Sequence, residues 1–337
     1  METPIDFVVT WLDSTDPEWQ EAYRKARGVE MLNDAGRYRN WGLFKYWFRA
    51  VETYAPWVNK VFLVTNGKNP DWINANHPKL VLVSHKDYIP EKYLPTFNSI
   101  TIELNMNKIP GLSEHFVYFN DDFYINSPVE PEYYFKGGLP CDCNNETYAI
   151  NPSYSKEDGF STKQYLFCDM AVLNCHFDRR EVIKGERKRW FGSHLSKQSL
   201  ITSFLLRQNK YFQFFGWRHY EQPMLKSVID EIWEKEPYWM DKSCTPFRAE
   251  IGLNPYIIRY WQFAANRFYP SKINKGIHVN VQKNNITSVI QKLKDRRYNS
   301  LCINDTPYCT QEEFEAVRDA LQLAFEHKFP HQSAFEI

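Results

Sequence analysis

Residues 116–125 read Phe-Val-Tyr-Phe-Asn-Asp-Asp-Phe-Tyr-Ile, so an amide and two adjacent carboxylates interrupt an apolar run. Four apolar residues in a row predict a buried strand, and open α/β sheets bind their ligands just beyond the carboxyl ends of their strands. Carboxylates at that place suit a hard divalent cation, because Mg²⁺ takes one or two protein carboxylates and completes its shell with water and substrate phosphates. Asn120, Asp121 and Asp122 could thus hold a metal-bound nucleotide diphosphate, although the same residue types also favour ordinary turns.

A phosphate-bearing substrate also requires positive charge, and attack by a hydroxyl requires a base. Arginine suits phosphate because its planar fork donates two parallel hydrogen bonds, and the candidates are Arg37, Arg39 and Arg248. His219 precedes an amphipathic stretch, and a histidine can take a proton from a hydroxyl near neutral pH. Each residue has an ordinary alternative, which is a surface ion pair for the arginines and local hydrogen bonding for the histidine.

Other catalytic signatures are missing from the sequence. It contains neither the Gly-x-x-x-x-Gly-Lys-Ser/Thr phosphate loop nor Gly-x-Gly-x-x-Gly, Gly-x-Ser-x-Gly or His-Glu-x-x-His. We therefore expect no organic cofactor, no P-loop hydrolysis and no dinucleotide redox chemistry. The 41 basic and 41 acidic residues balance, which gives no support for a nucleic-acid partner. The seven cysteines include no Cys-x-x-Cys pair, which disfavours a zinc ribbon or a disulfide framework.

The elements that must position these residues alternate in the first part of the chain. Strands are predicted over residues 5–11, 58–65, 79–84 and 116–119. Helices are predicted from the turn at 12–17 through about residue 27 and over 38–54. This order predicts an α/β fold, with a mostly parallel, Rossmann-like (GT-A-like) sheet flanked by helices and a helical C-terminal portion that completes the cleft.

The rest of the chain shows two helical patterns and one basic cluster. Periodicity is weak over residues 126–215, where a predicted loop carries Lys-Gly-Glu-Arg-Lys-Arg at 184–189. Residues 311–327 are predicted to form an amphipathic helix, and residues 218–268 are predicted to be helical. One face of this second helical region would carry Leu225, Val228, Ile229, Ile232 and Trp233.

Four separated segments, taken in order, resemble the Stealth proteins, a family that includes bacterial capsular polysaccharide phosphotransferases and the animal lysosomal N-acetylglucosamine-1-phosphotransferase. The first begins Ile-Asp-Phe-Val-Val-Thr-Trp-Leu-Asp-Ser-Thr-Asp-Pro at residue 5. The second runs from residue 37 to residue 122 and includes Leu-Pro-Thr-Phe-Asn-Ser at 94–99. The third spans 219–248, and the fourth combines Leu-Cys-Ile-Asn-Asp at 301–305 with the ending at 329–336.

The resemblance implies a reaction at phosphorus. Stealth proteins transfer a whole sugar-1-phosphate from a nucleotide sugar to a hydroxyl, forming a phosphodiester and releasing a nucleoside monophosphate. We expect transfer of a hexose-1-phosphate or N-acetylhexosamine-1-phosphate from a UDP-sugar, with a lipid-linked oligosaccharide or polysaccharide as the acceptor. Two alternatives stay open: a metal-dependent glycosyltransferase that releases UDP, and a glycan-binding protein without catalysis.

The resemblance also implies roles for the residues that could do this chemistry. Mg²⁺ or Mn²⁺ and the diphosphate would be held by residues 120–122, that is by Asn120, Asp121 and Asp122. His219 would be the base, and Arg248 and Arg37 would clamp the phosphates.

Five further residues are expected around the substrate. Thr10, Trp11 and Asp13 would lie near the nucleoside, by analogy with nucleotide sites at strand ends. Asn98 and Asn304 would orient the substrate or the metal ligands.

The chain is expected to form one catalytic domain from three regions. Residues 1–135 would be the nucleotide-sugar-binding α/β core, 136–215 an irregular acceptor-side insertion, and 216–337 a helical region that completes the domain. No stretch approaches the roughly 20 apolar residues of a membrane span and no signal-peptide pattern is present, so we expect a cytoplasmic protein. The 184–189 cluster would either be a solvated surface or contact lipid headgroups at the inner face of the membrane.

Overall fold

Strands and helices alternate in the first third of the structure, a computed structural model that describes residues 3–29, 39–148, 154–155, 159–160, 163–216, 218–272, 276–305 and 310–337. Its strands are β1 (Ile5–Thr10), β2 (Val61–Thr65), β3 (Leu80–Ser84), β4 (His115–Phe119), β5 (Phe123–Ile125), β6 (Phe135–Lys136), β7 (Leu139–Asp142), β8 (Glu146–Thr147), β9 (Tyr154–Ser155), β10 (Gly159–Phe160), β11 (Phe214–Phe215), β12 (Gln222–Leu225), β13 (Tyr269–Pro270), β14 (Gly276–Asn280) and β15 (Ser300–Asn304). Its α-helices are α1 (Pro17–Arg27), α2 (Phe44–Tyr54), α3 (Ser99–Leu104), α4 (Pro131–Tyr134), α5 (Lys163–His176), α6 (Arg179–Gly185), α7 (Arg187–Trp190), α8 (Lys197–Leu205), α9 (Lys226–Lys235), α10 (Pro237–Ser243), α11 (Tyr256–Ala264), α12 (Ile286–Lys294) and α13 (Gln311–Lys328).

The main sheet has the strand order β12-β4-β1-β2-β3. Strands β4, β1, β2 and β3 are parallel, and β12 pairs antiparallel with β4 at one edge. Every residue of β2 and β4 is buried, so helices and loops cover both faces, since successive side chains of a strand point to opposite faces. The α/β fold with a mostly parallel, helix-flanked sheet is therefore confirmed.

The carboxyl ends of β1 and β4 lie side by side, because Val9 pairs with Phe119 in their parallel register. Directly after β4, the chain turns through residues 120–122 and enters β5, which belongs to a second sheet of order β14-β15-β5. The backbone N–H of Ile303 in β15 donates to the carbonyl oxygen of Asp122 at 3.0 Å. The turn that carries the two carboxylates is thus the bend between the two sheets.

Helix α2 packs on the main sheet and leads away from the cleft. The Trp47 and Phe119 rings meet edge to face with their centroids 5.3 Å apart. The helix was predicted from residue 38, but it begins at Phe44, because Gly42 adopts φ 64°, a left-handed conformation that no α-helix continues. Helix α13 is confirmed, and Gln322 on it donates to the Trp41 carbonyl oxygen at 2.9 Å, which fixes the segment before α2.

The prediction of helix throughout residues 218–268 is wrong at its start. Residues 222–225 form β12, so Leu225 ends a strand instead of lying on the apolar face of α9. Pairing with β4 decides this conformation, and Pro223 is tolerated because β12 is an edge strand. Helices α9, α10 and α11 then follow as predicted.

Residues 126–215 are more regular than their weak periodicity indicated, because they include α4 to α8. Helix α5 buries one face, but that face includes Asp169, and apolar residues such as Phe167 and Ala171 lie outside it, so the sequence lacks the one-sided apolar stripe that reveals a surface helix. The 184–189 cluster was predicted as a loop, but it spans the end of α6 and most of α7. Lysine and arginine are good helix formers, so a run of them is compatible with either state.

No helix in the described ranges has the length and hydropathy needed to cross a bilayer.

Candidate active site

A cleft of about 840 Å³ opens at the carboxyl ends of β1 and β4. All four of the sequence segments singled out above contribute to its lining, together with the second sheet. The predicted site residues that line it are Thr10, Trp11, Asn120, Asp121, Asp122, His219, Arg248 and Asn304. Arg37 lies outside the described residues.

The two carboxylates form an electronegative floor. Asp121 opens onto the cleft while protein packs closely around it, and this limited solvation raises its pKa to about 6. Burial, and then the charge of Asp121, raises the pKa of Asp122 to about 8. The Asp122 Oδ1 atom is buried without a hydrogen-bond partner among the described residues, and its Oδ2 accepts from the Cys302 Sγ at 3.5 Å. A divalent cation bound here would neutralise the charge of the two neighbouring carboxylates and would give the buried Asp122 oxygen a ligand bond in place of the missing hydrogen bond.

Asn120 stands beside this floor with its side-chain carbonyl engaged. The Tyr118 hydroxyl donates to the Asn120 Oδ1 at 2.5 Å and lies 3.3 Å from the Thr10 Oγ1. The end of β1 is therefore connected to the carboxylate turn through one buried tyrosine. Trp11 follows Thr10 in the chain, and its ring stacks on Phe44 with ring centroids 5.9 Å apart and an interplanar angle of 9°.

His219 approaches the floor from the segment before β12. Its ring meets Phe123 edge to face at 5.0 Å and His278 at 5.3 Å. Burial, followed by the positive fields of His278 and Arg248, lowers the pKa of His219 to about 4. Its imidazole is therefore neutral at pH 7 and has a lone pair that can accept a proton.

Arg218, the residue before His219, is held at both its side chain and its backbone. Its guanidinium donates to the buried Asp142 carboxylate at 2.6 Å, and its carbonyl oxygen accepts from the Tyr256 hydroxyl. Arg259 also donates two hydrogen bonds to the Asp142 carboxylate, from its Nε at 2.6 Å and from its Nη2 at 3.1 Å. This buried network fixes the backbone from which His219 projects.

Arg248 lies on the other side of the cleft, next to α3. Its Nη2 donates to the Ser99 Oγ at 3.2 Å. Glu103, one helical turn further along α3, also lines the cleft. Burial raises the pKa of Glu103 to about 8, and the charge of Arg248 opposes that rise. Sequence reasoning missed Glu103, because only the packing of α3 against the cleft brings this side chain there.

Two predicted residues do not line the cleft. Asp13 accepts from the backbone N–H and hydroxyl of Thr15 at 3.0 and 2.6 Å, so it shapes the loop between the cleft-lining Leu12 and Ser14. Asn98 is 1% exposed and caps α3, where its side-chain oxygen accepts from the Ile100 N–H at 3.2 Å.

The second sheet contributes residues that sequence reasoning did not select. Asn304 donates to the Asn280 Oδ1 at 2.8 Å, and the two are cross-strand partners in the parallel β14–β15 pair. Two positions earlier, His278 is the partner of Cys302. The period of two along a strand puts all four side chains on one face, so counting back from Asn304 could have revealed Cys302. Arg39, also a phosphate candidate, lines the cleft with its Nε 3.8 Å from the Asp305 Oδ2.

Comparison with known proteins adds independent evidence. Residues 37–141 match the family model described as Stealth protein CR2, conserved region 2. The chain is 38% identical over 337 residues to the capsular polysaccharide phosphotransferase WcwK of Streptococcus pneumoniae, with 98% of both chains covered. It is 36% identical over 340 residues to the receptor polysaccharide phosphotransferase WefC of Streptococcus oralis, with 99% of both covered.

A more distant relative and a solved structure give the same coverage at lower similarity. The chain is 32% identical over 334 residues to the exopolysaccharide phosphotransferase cps2G of Lactiplantibacillus plantarum, covering 98% of this chain and 96% of that one. The crystal structure of the galactosyltransferase LgtC in complex with donor and acceptor sugar analogues aligns with 98% of both chains, at 9% identity and a TM-score of 0.39. A TM-score this low supports no functional transfer.

Proposed function

Since the chain belongs to the Stealth family and its full-length relatives are polysaccharide phosphotransferases, we propose that it transfers a sugar-1-phosphate from a UDP-sugar to a polysaccharide hydroxyl. The sugar phosphate would be a hexose-1-phosphate or an N-acetylhexosamine-1-phosphate, the acceptor a cell-surface polysaccharide repeat unit, and the leaving group UMP. The observation that carries this proposal is the shared cleft, where paired carboxylates, a neutral imidazole and an arginine surround the end of β1.

The metal site is proposed at residues 120–122. The buried, unpartnered Oδ1 of Asp122 and the raised pKa values of both aspartates fit a hard divalent cation. Mg²⁺ or Mn²⁺, when bound there, would neutralise charge on the donor diphosphate. Asn120 would orient the two carboxylates through its hydrogen bond from Tyr118.

Proton transfer is assigned to His219 and charge stabilisation to Arg248. The His219 imidazole would take the proton of the acceptor hydroxyl as its oxygen attacks the sugar-bearing phosphorus. The bond from that phosphorus to the bridging oxygen breaks, and the electron pair leaves with UMP. A bound diphosphate would raise the pKa of His219 from about 4 towards neutrality, because a nearby negative charge favours imidazolium. Arg248 would donate to the phosphoryl oxygens on which charge accumulates, and Arg37 stays a predicted second clamp.

The remaining residues are assigned to substrate placement. Thr10 and Trp11 would contact the nucleoside, and Asn304 would orient substrate from the second sheet. Asp13 and Asn98 would act indirectly, through the loop after β1 and through α3.

The test is the identity of the products. The protein is incubated with UDP-sugars, Mg²⁺ and a lipid-linked or synthetic glycan acceptor, and both products are analysed by mass spectrometry. UMP together with a sugar-phosphate mass gain supports phosphotransfer, whereas UDP with a sugar-only gain would establish a glycosyltransferase. A failure of every donor to turn over, with glycan binding retained, would establish a binding protein.

Asp122→Asn supplies the matched variant for this assay. It should abolish turnover without loss of folding, because it removes one unit of charge from the metal site. Asp319→Asn makes the same chemical change on the exposed face of α13, where Asp319 pairs only with Arg318 among the described residues, and should leave turnover unchanged.

A lipid-linked acceptor requires access to the membrane, and the surface around α8 supports this part of the proposal. Ile201, Phe204 and Leu205 are 61%, 59% and 59% exposed. The adjoining groove has Lys184 and Arg187 from the basic cluster among its lining. Exposed apolar side chains beside cations suit an anionic bilayer, so we place the protein peripherally at the inner face of the cell membrane.

Vesicle sedimentation tests this contact. Wild-type protein should pellet with phosphatidylglycerol vesicles and stay in solution with phosphatidylcholine vesicles. Unchanged sedimentation after Lys184→Gln and Arg187→Gln would argue against the contact, whereas the same pair of changes should spare activity on a water-soluble acceptor.

A further inference from the structure

Three potential ligands for a softer metal converge behind the carboxylate floor. His278 and Cys302 are cross-strand partners on β14 and β15, and the His219 ring lies 5.3 Å from that of His278. One ring nitrogen of each histidine and the Cys302 Sγ all lie within 4.8 Å of one another. The Sγ is also 3.5 Å from the Asp122 Oδ2, which places a fourth potential ligand beside the thiol.

The chemistry of these donors differs from that of residues 120–122. Two imidazoles and a thiolate prefer Zn²⁺ or Co²⁺, whereas carboxylate and amide oxygens prefer Mg²⁺. Each histidine offers one ring nitrogen, and Cys302 offers a sulfur that binds the ion once its thiol proton has been released. The Mg²⁺ and Zn²⁺ ligand sets would meet at Asp122.

The spacing is close to that of a closed site. Tetrahedral zinc with bonds of about 2.0–2.3 Å holds its ligand atoms roughly 3.4–3.7 Å apart. Because every pair of these atoms lies within 4.8 Å, no pair has to approach by more than about 1.1–1.4 Å, which small rotations of the two histidine rings can supply.

We propose that His219, His278 and Cys302 bind Zn²⁺, with Asp122 as the fourth ligand, and that the bound ion inhibits the transferase. Binding forms a zinc–sulfur bond and releases the Cys302 thiol proton to solvent, with no change of oxidation state. The ion occupies the lone pair that His219 would use to accept a proton, and it draws Asp122 away from the donor diphosphate. Inhibition rests on the proposed function, whereas metal binding does not.

Cobalt spectroscopy tests binding without substrate. Co²⁺ is titrated into chelator-treated protein, and one equivalent should produce the intense visible bands of tetrahedral cobalt with a thiolate-to-cobalt charge-transfer band in the near ultraviolet. Zn²⁺ should abolish both signals by displacement, and millimolar Mg²⁺ should not. Cys302→Ser should remove the charge-transfer band. His278→Ala should weaken Co²⁺ binding by about 100-fold or more, whereas loss of a residue that only orients a metal ligand costs about 10- to 100-fold.

Cys244→Ser is the matched control, because Cys244 is another buried free thiol that does not line the cleft. It should leave the cobalt spectrum unchanged. A wild-type protein without the charge-transfer band, or a band that survives in Cys302→Ser, would overturn the site. Thermal melting of each variant shows whether it is folded before its spectrum is interpreted.

The inhibitory effect is measured separately, as the fraction of turnover that survives Zn²⁺ at saturating Mg²⁺. Wild-type protein should lose activity as Zn²⁺ fills the site that the cobalt titration detects. Cys302→Ser should retain its own starting activity over the same Zn²⁺ range. Full activity of a zinc-loaded wild-type protein would refute the inhibition while leaving the transferase assignment intact. Conversely, if no donor turns over, the cobalt spectrum still decides whether the metal site exists.

Discussion

Asp142→Asn should damage both the stability of the protein and the placement of His219. Asp142 is 4% exposed and Arg259 is 3% exposed, so the change leaves a buried guanidinium facing a neutral amide. It also removes the anion that holds the Arg218 side chain at 2.6 Å, one residue before His219. Burial alone would raise the pKa of Asp142, but Arg259 and then Arg218 hold it below its ordinary value. The carboxylate is therefore ionised throughout any practical assay range.

The size of the stability loss follows from the burial of the pair. Breaking a buried ion pair by removing one partner costs about 3–5 kcal/mol. Unfolding entropy of about 2.1 cal/mol/K per residue gives roughly 0.7 kcal/mol/K for a chain of this length. The Tm should therefore fall by about 4–7 °C.

Glu146→Gln separates the two effects. Glu146 and Arg179 form a second buried pair, with hydrogen bonds of 2.7 and 2.6 Å and both side chains 0% exposed, and neither residue lines the cleft. This control should lower the Tm by a similar amount. At a temperature well below both transitions, however, only Asp142→Asn should reduce kcat, while the KM for the donor changes little because Asp142 does not line the cleft.

Calorimetry and initial-rate measurements on the same preparations decide the matter. A Tm within about 1.5 °C of wild type for Asp142→Asn would mean less than about 1 kcal/mol and would refute the buried-pair argument. Equal kcat values for the two variants would refute the link from Asp142 to His219 even if both Tm values fall.

Three further predictions concern the cleft. Burial raises the pKa of Glu103 to about 8, so its contribution to the free energy of unfolding should be fully present below the unfolded pKa of about 4.3 and should be lost as the pH rises towards 8. Glu103→Gln should remove this loss of stability with rising pH in thermal scans. Gly42→Ala should lower the Tm by about 1.5–3 °C, since a left-handed non-glycine residue costs roughly 1–2 kcal/mol. Its new Cβ would also lie 2.5 Å from the Gln322 Nε2, and a Tm equal to wild type would contradict both effects. Trp11→Ala should weaken UDP-sugar binding by about 5- to 150-fold, equivalent to about 1–3 kcal/mol of lost base stacking; an unchanged Kd in titration calorimetry would place the nucleoside elsewhere.

The core of the fold could be predicted because its signals are local. Strands β1, β2 and β4 are nearly continuous apolar runs bounded by turn residues, which is what a strand buried on both faces requires. Strand β12 has no such signal. It is four residues long with a proline, and only its pairing with β4, about one hundred residues earlier in the chain, makes it a strand.

The same distinction separates the site residues that were predicted from those that were missed. The adjacent carboxylates of Asp121 and Asp122 interrupt an apolar run, so local sequence reveals them. Glu103 and His278 are common residue types in unremarkable surroundings, and only the folding of α3 and β14 against the cleft gives them a possible role. Their discovery requires knowledge of which face each element turns towards β1.

Asn98 and Asn304 were both predicted as site residues from family-like segments, but only Asn304 lines the cleft. Asn304 lies on a strand, where alternate side chains project from the sheet, and it reaches the cleft with Asn280. Asn98 precedes a helix, and the first turn of any helix has unsatisfied N–H groups that an asparagine side chain readily accepts. The demand of the backbone at the start of α3 therefore decides the position of the Asn98 side chain. Because α3 carries Ser99, which accepts from Arg248, the cap still helps to position the arginine that we propose as a phosphate clamp.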